Sequence, residues 1–202
     1  MHVNAADLQQ LQPRMDKAFT AMQELEAGAI ANPDEQRQVG HYWLRTPELA
    51  PSSELQQHIS REIELIAAFG RDVINGTIKA PNGEAFTDVL WIGIGGSGLG
   101  PALMIRALQN PGQGLPFHFF DNVDPNGMSN VLAGLDGRLD RTLVVTVSKS
   151  GGTPEPHIGL EQARHRLEAA GGQWAGQAVA VTMLNSKLDQ QAQSEAWLKR
   201  FD

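Results

Sequence analysis

From residue 89 onward, four short apolar runs alternate with helix-type segments, and this order constrains the fold more than any other feature of the chain. The runs occupy 89–94, 116–120, 142–147 and 178–184. Each has strand length, and three carry the continuous Val, Ile and Leu character of strands covered on both faces. Helices are expected over 100–109, 127–135 and 154–170. A β-α-β-α-β-α-β order predicts an α/β fold, an open parallel β-sheet with helices on both faces in a flavodoxin-like three-layer arrangement. Such sheets bind ligands at the carboxyl ends of their strands. Residues 186–202 read as one further helix through Leu188, Ala192, Ala196 and Trp197.

Upstream the texture differs. Leu8, Leu11, Met15, Phe19, Met22 and Leu25 recur at steps of three or four, which predicts an amphipathic helix over 5–28 with Pro13 as a bend. Residues 30–51 show no sustained period and read as a short helix or loop packed by Tyr42 and Trp43. Ile59, Ile63, Ile66, Phe69 and Val73 then mark a second helix, opened by Ser53 and Gln56 as a capping box and closed by Asn75-Gly76. The organisation expected is an N-terminal helical segment, 1–80, packing on an α/β domain, 81–202.

Composition narrows the function classes. The chain has 202 residues, enough for a substantial core without staples, and a formal charge of −7, the wrong sign for general nucleic-acid binding. Zero cysteines exclude a disulfide framework, a thiolate metal site and a cysteine nucleophile. The N-terminus has no basic region leading into an apolar one, and no window approaches the ~18 apolar residues of a membrane span. The expectation is a cytoplasmic protein without a membrane or nucleic-acid partner.

Two glycine-rich turns carry the chemistry. The first expected strand runs into Gly93-Ile94-Gly95-Gly96-Ser97-Gly98-Leu99-Gly100-Pro101. Glycines at this density are tolerated where the backbone must approach a ligand closely or adopt positive φ. The spacing also satisfies the dinucleotide fingerprint Gly-x-Gly-x-x-Gly, with Asp121 at the end of the next strand as the ribose-binding acid. The third strand runs into Ser148-Lys149-Ser150-Gly151-Gly152-Thr153-Pro154-Glu155. Here Thr153 stands at the N-cap position, Pro154 opens a helix, and Ser148, Ser150 and Thr153 offer three hydroxyls beside the positive helix end. That set suits a terminal phosphate, whose oxygens need several donors; Lys149 adds a charge or only its amide. Neither turn is a Walker A sequence, which disfavours phosphoryl transfer from ATP. Two such turns at one end of a sheet point to one small phosphorylated ligand held between them.

Together these two segments resemble the sugar-isomerase (SIS) domain of the glucose-6-phosphate isomerase family, in its bacterial and cyanobacterial form. The resemblance covers most of the chain. It implies an aldose–ketose isomerisation of glucose 6-phosphate and fructose 6-phosphate, in glycolysis and gluconeogenesis, with no cofactor and no metal. It also implies that Gly96 and Ser97 line the sugar-phosphate site, that Ser148, Lys149, Ser150, Gly151, Gly152 and Thr153 form the phosphate loop, and that Glu155 is a supporting acid. The family's Gly-Gly-Arg segment and its catalytic base are absent, so the chain resembles an N-terminal fragment that binds sugar phosphates without turnover. The full-length family protein is expected to be a homodimer. Two other readings stay open, a non-catalytic phosphosugar-binding SIS module and a dinucleotide-binding oxidoreductase domain.

The remaining features read as structural. Asn122-x-Asp124-x-Asn126-Gly127 resembles the start of a calcium loop, but Ala133 stands where a bidentate Glu is required, leaving a strand-end turn. The six histidines, at 2, 41, 58, 118, 157 and 165, show no metal-site spacing. Trp91 reads as a packing residue. Glu155 and Asp121 are either an acid/base pair or, for Glu155, compensation of a helix dipole.

Overall fold

A computed structural model of the chain describes residues 4–110 and 112–202, so His2 lies outside the described residues. The chain forms two compact units, 1–65 and 66–202. The division falls inside a helix rather than at the change of texture near residue 80.

In the first unit, α1 (Ala5–Glu26) starts at Asn4, whose side chain accepts the Asp7 amide at 3.0 Å while the Asp7 carboxylate accepts the Asn4 amide. This reciprocal cap satisfies two of the amides that every helix start leaves unpaired. The expected stripe forms, yet α1 has no buried residue, and Phe19 is 63% exposed. The aromatic stretch does pack: Trp43, Ala50 and Ile59 form a small core with Tyr42 and Leu55, and the Trp43 indole donates to the Glu26 carbonyl at 2.9 Å. The helix α2 (Ser53–Ile74) forms as predicted, but its cap differs. The Ser52 hydroxyl accepts the Leu55 amide, and the Gln56 side chain instead donates to the Glu48 and Ala50 carbonyls. Consecutive serines make the cap position ambiguous by one residue; the carbonyls left by the preceding short turn settle it.

The second unit is the expected α/β fold. Its strands are β1 (Asp88–Ile92), β2 (Phe117–Phe120), β3 (Thr142–Val147), β4 (Ala178–Val181) and β5 (Lys199–Phe201), all parallel, in the order β2-β1-β3-β4-β5. Between them run α3 (Gly96–Leu108), α4 (Pro125–Gly134), α5 (Pro154–Ala169) and α6 (Lys187–Ser194). Side-chain alternation splits the sheet between two environments. Leu90, Ile92, Val144, Ala178 and Ala180 share one core with Met128, Leu132, Leu160, Leu167 and Leu188 of α4, α5 and α6. Val89, Trp91, Val145, Val179 and Phe201 face an open apolar groove of about 670 Å³. One buried polar side chain is matched in full: the Gln177 amide, fully buried, donates to the Leu139 and Thr142 carbonyls and accepts the Gln173 amide.

The C-terminal expectation is corrected. The helix predicted over 186–202 ends at Ser194; Ala196 takes a positive φ of 55°, and Lys199–Phe201 joins the sheet as β5 beside β4. Trp197 is buried edge-on against Trp174, and its indole donates to Glu195, so the apolar period that mimicked a helix is packing at a chain reversal. Arg200 of β5 pairs with the buried Asp189 of α6, which also accepts the Asn185 amide at 2.9 Å.

The Asn185 hydrogen bond lowers the Asp189 carboxyl below its usual value; burial opposes this, and the Arg200 guanidinium reinforces the lowering. A carboxylate with a depressed folded value contributes stability that is fully present at neutral pH and lost as pH falls below the ordinary carboxylate range of about 3.9. Asp189→Ala is therefore expected to destabilise the chain by about 1.5–3 kcal/mol at pH 7. The difference from wild type should shrink as pH drops below that range, read by chemical denaturation at both pH values.

Candidate functional site

The position of the site follows from strand order. β1 continues to β2 on one side while β3 lies on its other side, so the sheet changes direction between β1 and β3. In doubly wound sheets the crevice for a ligand opens outside the carboxyl ends at this switch. Ile92 and Thr146 are register partners, and neighbouring strands lie about 4.8 Å apart. Both glycine-rich turns thus leave the sheet side by side at one end. Thr146 itself is buried, and its hydroxyl has no hydrogen-bond partner.

The first turn is more helical than expected, because α3 begins at Gly96 rather than near residue 100. Gly95 turns the chain with φ +54°, and the Ser97 and Gly98 amides close short bonds to the Ile94 and Gly95 carbonyls. Trp91, read from sequence as packing, clamps the turn: its indole donates to the Ser97 carbonyl at 2.8 Å. The glycines divide by cause. A Cβ at Gly93 would lie 2.6 Å from the Ser97 carbonyl oxygen, and one at Gly98 would lie 2.2 Å from that of Gly93. These two are demanded by the chain itself. Gly96 is not, since it has no positive φ and a Cβ there meets nothing within 4 Å. The Gly95 and Gly96 amides have no hydrogen-bond partner among the described residues, and Gly96 is exposed.

The second turn is tied down partly by its own hydroxyls. Ser148 accepts the Gly151 amide and Ser150 accepts the Gly152 amide, both at 3.2 Å. These two amides are therefore occupied by the chain, whereas the serine O–H groups keep their hydrogens to donate. Gly151 has φ +64°, and a Cβ there would lie 2.2 Å from the Leu188 amide nitrogen. Thr153 occupies the N-cap position of α5 as expected but makes no side-chain cap bond. Pro154 and Pro156 remove two N–H groups from the first turn, so α5 presents fewer amides than a generic helix start. Ser148 is buried, Thr153 and Glu155 are half-buried, and Lys149, Ser150 and Gly152 are exposed.

Of the other sequence candidates, Asp121 at the end of β2 stands beside the first turn, its Cβ 3.5 Å from where a Cβ on Gly98 would lie, and the rest serve the fold or lie elsewhere. Asp124 caps α4 by accepting the Gly127 amide at 2.7 Å, and Asn122 accepts the Asp124 amide, the strand-end turn expected there. Asp121 accepts from the Asn122 side chain. His118 meets the buried Asp88 at 2.9 Å near the amino end of β1, the opposite edge from the two turns. His157 is exposed. The two turns bring amide and hydroxyl donors to this end of the sheet, with Glu155 close in sequence and Asp121 beside Gly98, an arrangement that can hold an oxyanion and shows no nucleophile–base pair among the described residues.

Fold and turns together define a doubly wound α/β protein with two glycine-rich, donor-bearing turns at its switch point. The chain belongs to the phosphoglucose isomerase family, whose model matches residues 2–195. It is 94% identical over its whole length to a glucose-6-phosphate isomerase of Synechococcus sp. (strain CC9605) and 74% identical to one of Parasynechococcus marenigrum. It spans 38% and 36% of those two proteins. Among solved structures, a glucose-6-phosphate isomerase of Chlamydia trachomatis superposes with a TM-score of 0.81 at 30% identity, over 98% of this chain and 38% of that one. No helix among the described residues is long and apolar enough to cross a membrane.

The division of the glycines has a direct test. Gly151→Ala is expected to lose at least about 1–2 kcal/mol, the penalty of left-handed backbone, with the Leu188 clash added. Gly96→Ala should stay within about 0.5 kcal/mol of wild type. Urea denaturation of both variants reads the contrast.

Proposed function

We propose that this chain is the N-terminal, phosphate-holding part of a glucose-6-phosphate isomerase, the enzyme that interconverts glucose 6-phosphate and fructose 6-phosphate. The observation that carries the reading is the placement of two donor-rich turns on adjacent strand ends, in a chain of this family. In this reading Gly96 and Ser97 line the sugar phosphate, and the Gly95 and Gly96 amides approach it where no side chain intervenes. Ser148, Lys149, Ser150, Gly151, Gly152 and Thr153 form the phosphate loop. The Ser148, Ser150 and Thr153 hydroxyls donate to phosphate oxygens, while Gly151 and Gly152 shape the turn.

Isomerisation by proton transfer between C1 and C2 needs a general base, a group that opens the ring and a cation near the developing enediolate charge. Among the described residues the carboxylates beside the two turns are Glu155, in a supporting role at the helix start, and Asp121 next to Gly98. The chain by itself is thus a binding element, and turnover belongs to a longer protein that carries the base. That protein is cytoplasmic, uses no metal or cofactor and works as a homodimer. A dinucleotide-binding role would leave the Ser/Thr-rich second turn without a task.

Titrating the ¹⁵N-labelled chain with fructose 6-phosphate tests the reading. The expected result is saturable shifts confined to the amides of both turns, with no isomerisation in a coupled assay; shifts in only one turn, or substantial turnover, would contradict it. Thr153→Ala removes a hydroxyl that caps nothing, so it should weaken fructose 6-phosphate binding by roughly 1.5–3 kcal/mol and leave the unfolding free energy nearly unchanged. Gly96→Ala should also impair binding, through the added methyl in the approach path.

A further inference from the structure

Behind the second turn lies a group of hydroxyls that the phosphate reading does not use. The Thr182 hydroxyl, 6% exposed at the end of β4, lies 2.6 Å from the Ser148 carbonyl, 3.3 Å from the Lys149 carbonyl and 2.6 Å from the Ser186 hydroxyl. Ser186 in turn accepts the Asp189 amide at 3.0 Å as the cap of α6. Hydrogen counting fixes the directions. Carbonyls only accept, so the single Thr182 hydrogen goes to the nearer one, Ser148. The short Thr182–Ser186 contact must then use the Ser186 hydrogen. The result is a one-way chain from the Asp189 amide to Ser186, to Thr182, to the Ser148 carbonyl, in which each bond polarises the next.

The consequence lies on the far side of the turn. A trans peptide is planar, with its C=O and N–H pointing in opposite directions. The Ser148 carbonyl shares a peptide with the Lys149 amide, and the Lys149 carbonyl shares one with the Ser150 amide. Thr182 holds the Ser148 carbonyl on its own side, and the Met183 amide holds the Lys149 carbonyl there, at 3.2 Å. The Lys149 and Ser150 N–H groups, opposite those carbonyls across their peptides, are thereby turned to the other side.

We propose that Thr182, supported by Ser186, is a positioning residue for the anion site: it aims the Lys149 amide, beside a Ser150 amide set by the Met183 N–H, without touching the ligand. This rests on the phosphate-loop reading above and adds a residue on a different strand that no glycine or serine motif marks. Thr182→Val keeps the shape and removes the donor, whereas Thr182→Ser keeps the donor and removes a methyl.

The test measures dissociation constants of the 202-residue chain for fructose 6-phosphate and for inorganic phosphate by ¹⁵N titration. Thr182→Val should weaken both ligands by the same factor, roughly five- to tenfold, the scale of one lost hydrogen bond. The Lys149 and Ser150 amide resonances should move in this variant even without ligand, and Thr182→Ser should return affinity to within about twofold of wild type. Equal affinity of Thr182→Val and wild type overturns the proposal, as does failure of Thr182→Ser to restore binding, or a loss seen with the sugar ester but not with inorganic phosphate. If Thr182→Val does not fold, Ser186→Ala, which removes the hydrogen feeding Thr182, should show the same uniform weakening at roughly two- to threefold, and unchanged affinity there overturns it. A wild-type chain whose turn amides respond to neither ligand removes the phosphate-loop reading itself, and this inference with it.

Discussion

Parallel pairing of β1 with β3 is the constraint on which the rest of the site depends. It holds Ile92 against Thr146, so that the next residues of both chains must diverge at one edge of the sheet. Because β2 lies beyond β1 and β4 beyond β3, the strand order reverses here, the place where doubly wound sheets receive their ligands. Neither turn has to find the other through side-chain contacts. Backbone hydrogen bonds of the sheet interior bring them together, and those are the least yielding part of an α/β fold.

With that frame in place, each turn is held from behind rather than from the crevice side. The Trp91 indole grips the Ser97 carbonyl, the Thr182 hydroxyl grips that of Ser148, and Leu188 leaves room at Gly151 only for hydrogen. Occupying carbonyls in this way is the direct means of presenting amides, since each peptide has two opposed polar groups. The glycines follow the same logic. Gly93, Gly98 and Gly151 answer to neighbouring chain atoms, and Gly96 answers to none.

Much of this was legible in the residues. The alternation of apolar runs and helical segments predicted the parallel sheet, and Pro154 after Thr153 marked the start of α5. The failures have physical causes. Leu188, Ala192, Ala196 and Trp197 have helical spacing, but spacing does not distinguish a helix from a reversal whose apolar groups bury against other elements. Ser52 and Ser53 cap equally well on paper; the carbonyls of Glu48 and Ala50, which recruit the Gln56 side chain, decide between them. Glycines at 95 and 96 resembled loop, yet a single positive φ at Gly95 suffices to start α3 four residues early.

Local chemistry determined which residues are fit to hold an oxyanion, because donor type, glycine and proline are properties each residue carries wherever the chain goes. The sequence also determined that strands and helices alternate, since periodicity is a local property. Only the tertiary structure decided that β3 rather than β2 adjoins the second side of β1, that Lys199–Phe201 joins the sheet beside β4, and that Thr182 stands behind Ser148. Those facts join residues that are tens of positions apart or that lie on different strands. The free energy selecting them comes from burying both faces of the sheet and satisfying its backbone at once, a sum over the whole unit that no short stretch of sequence contains.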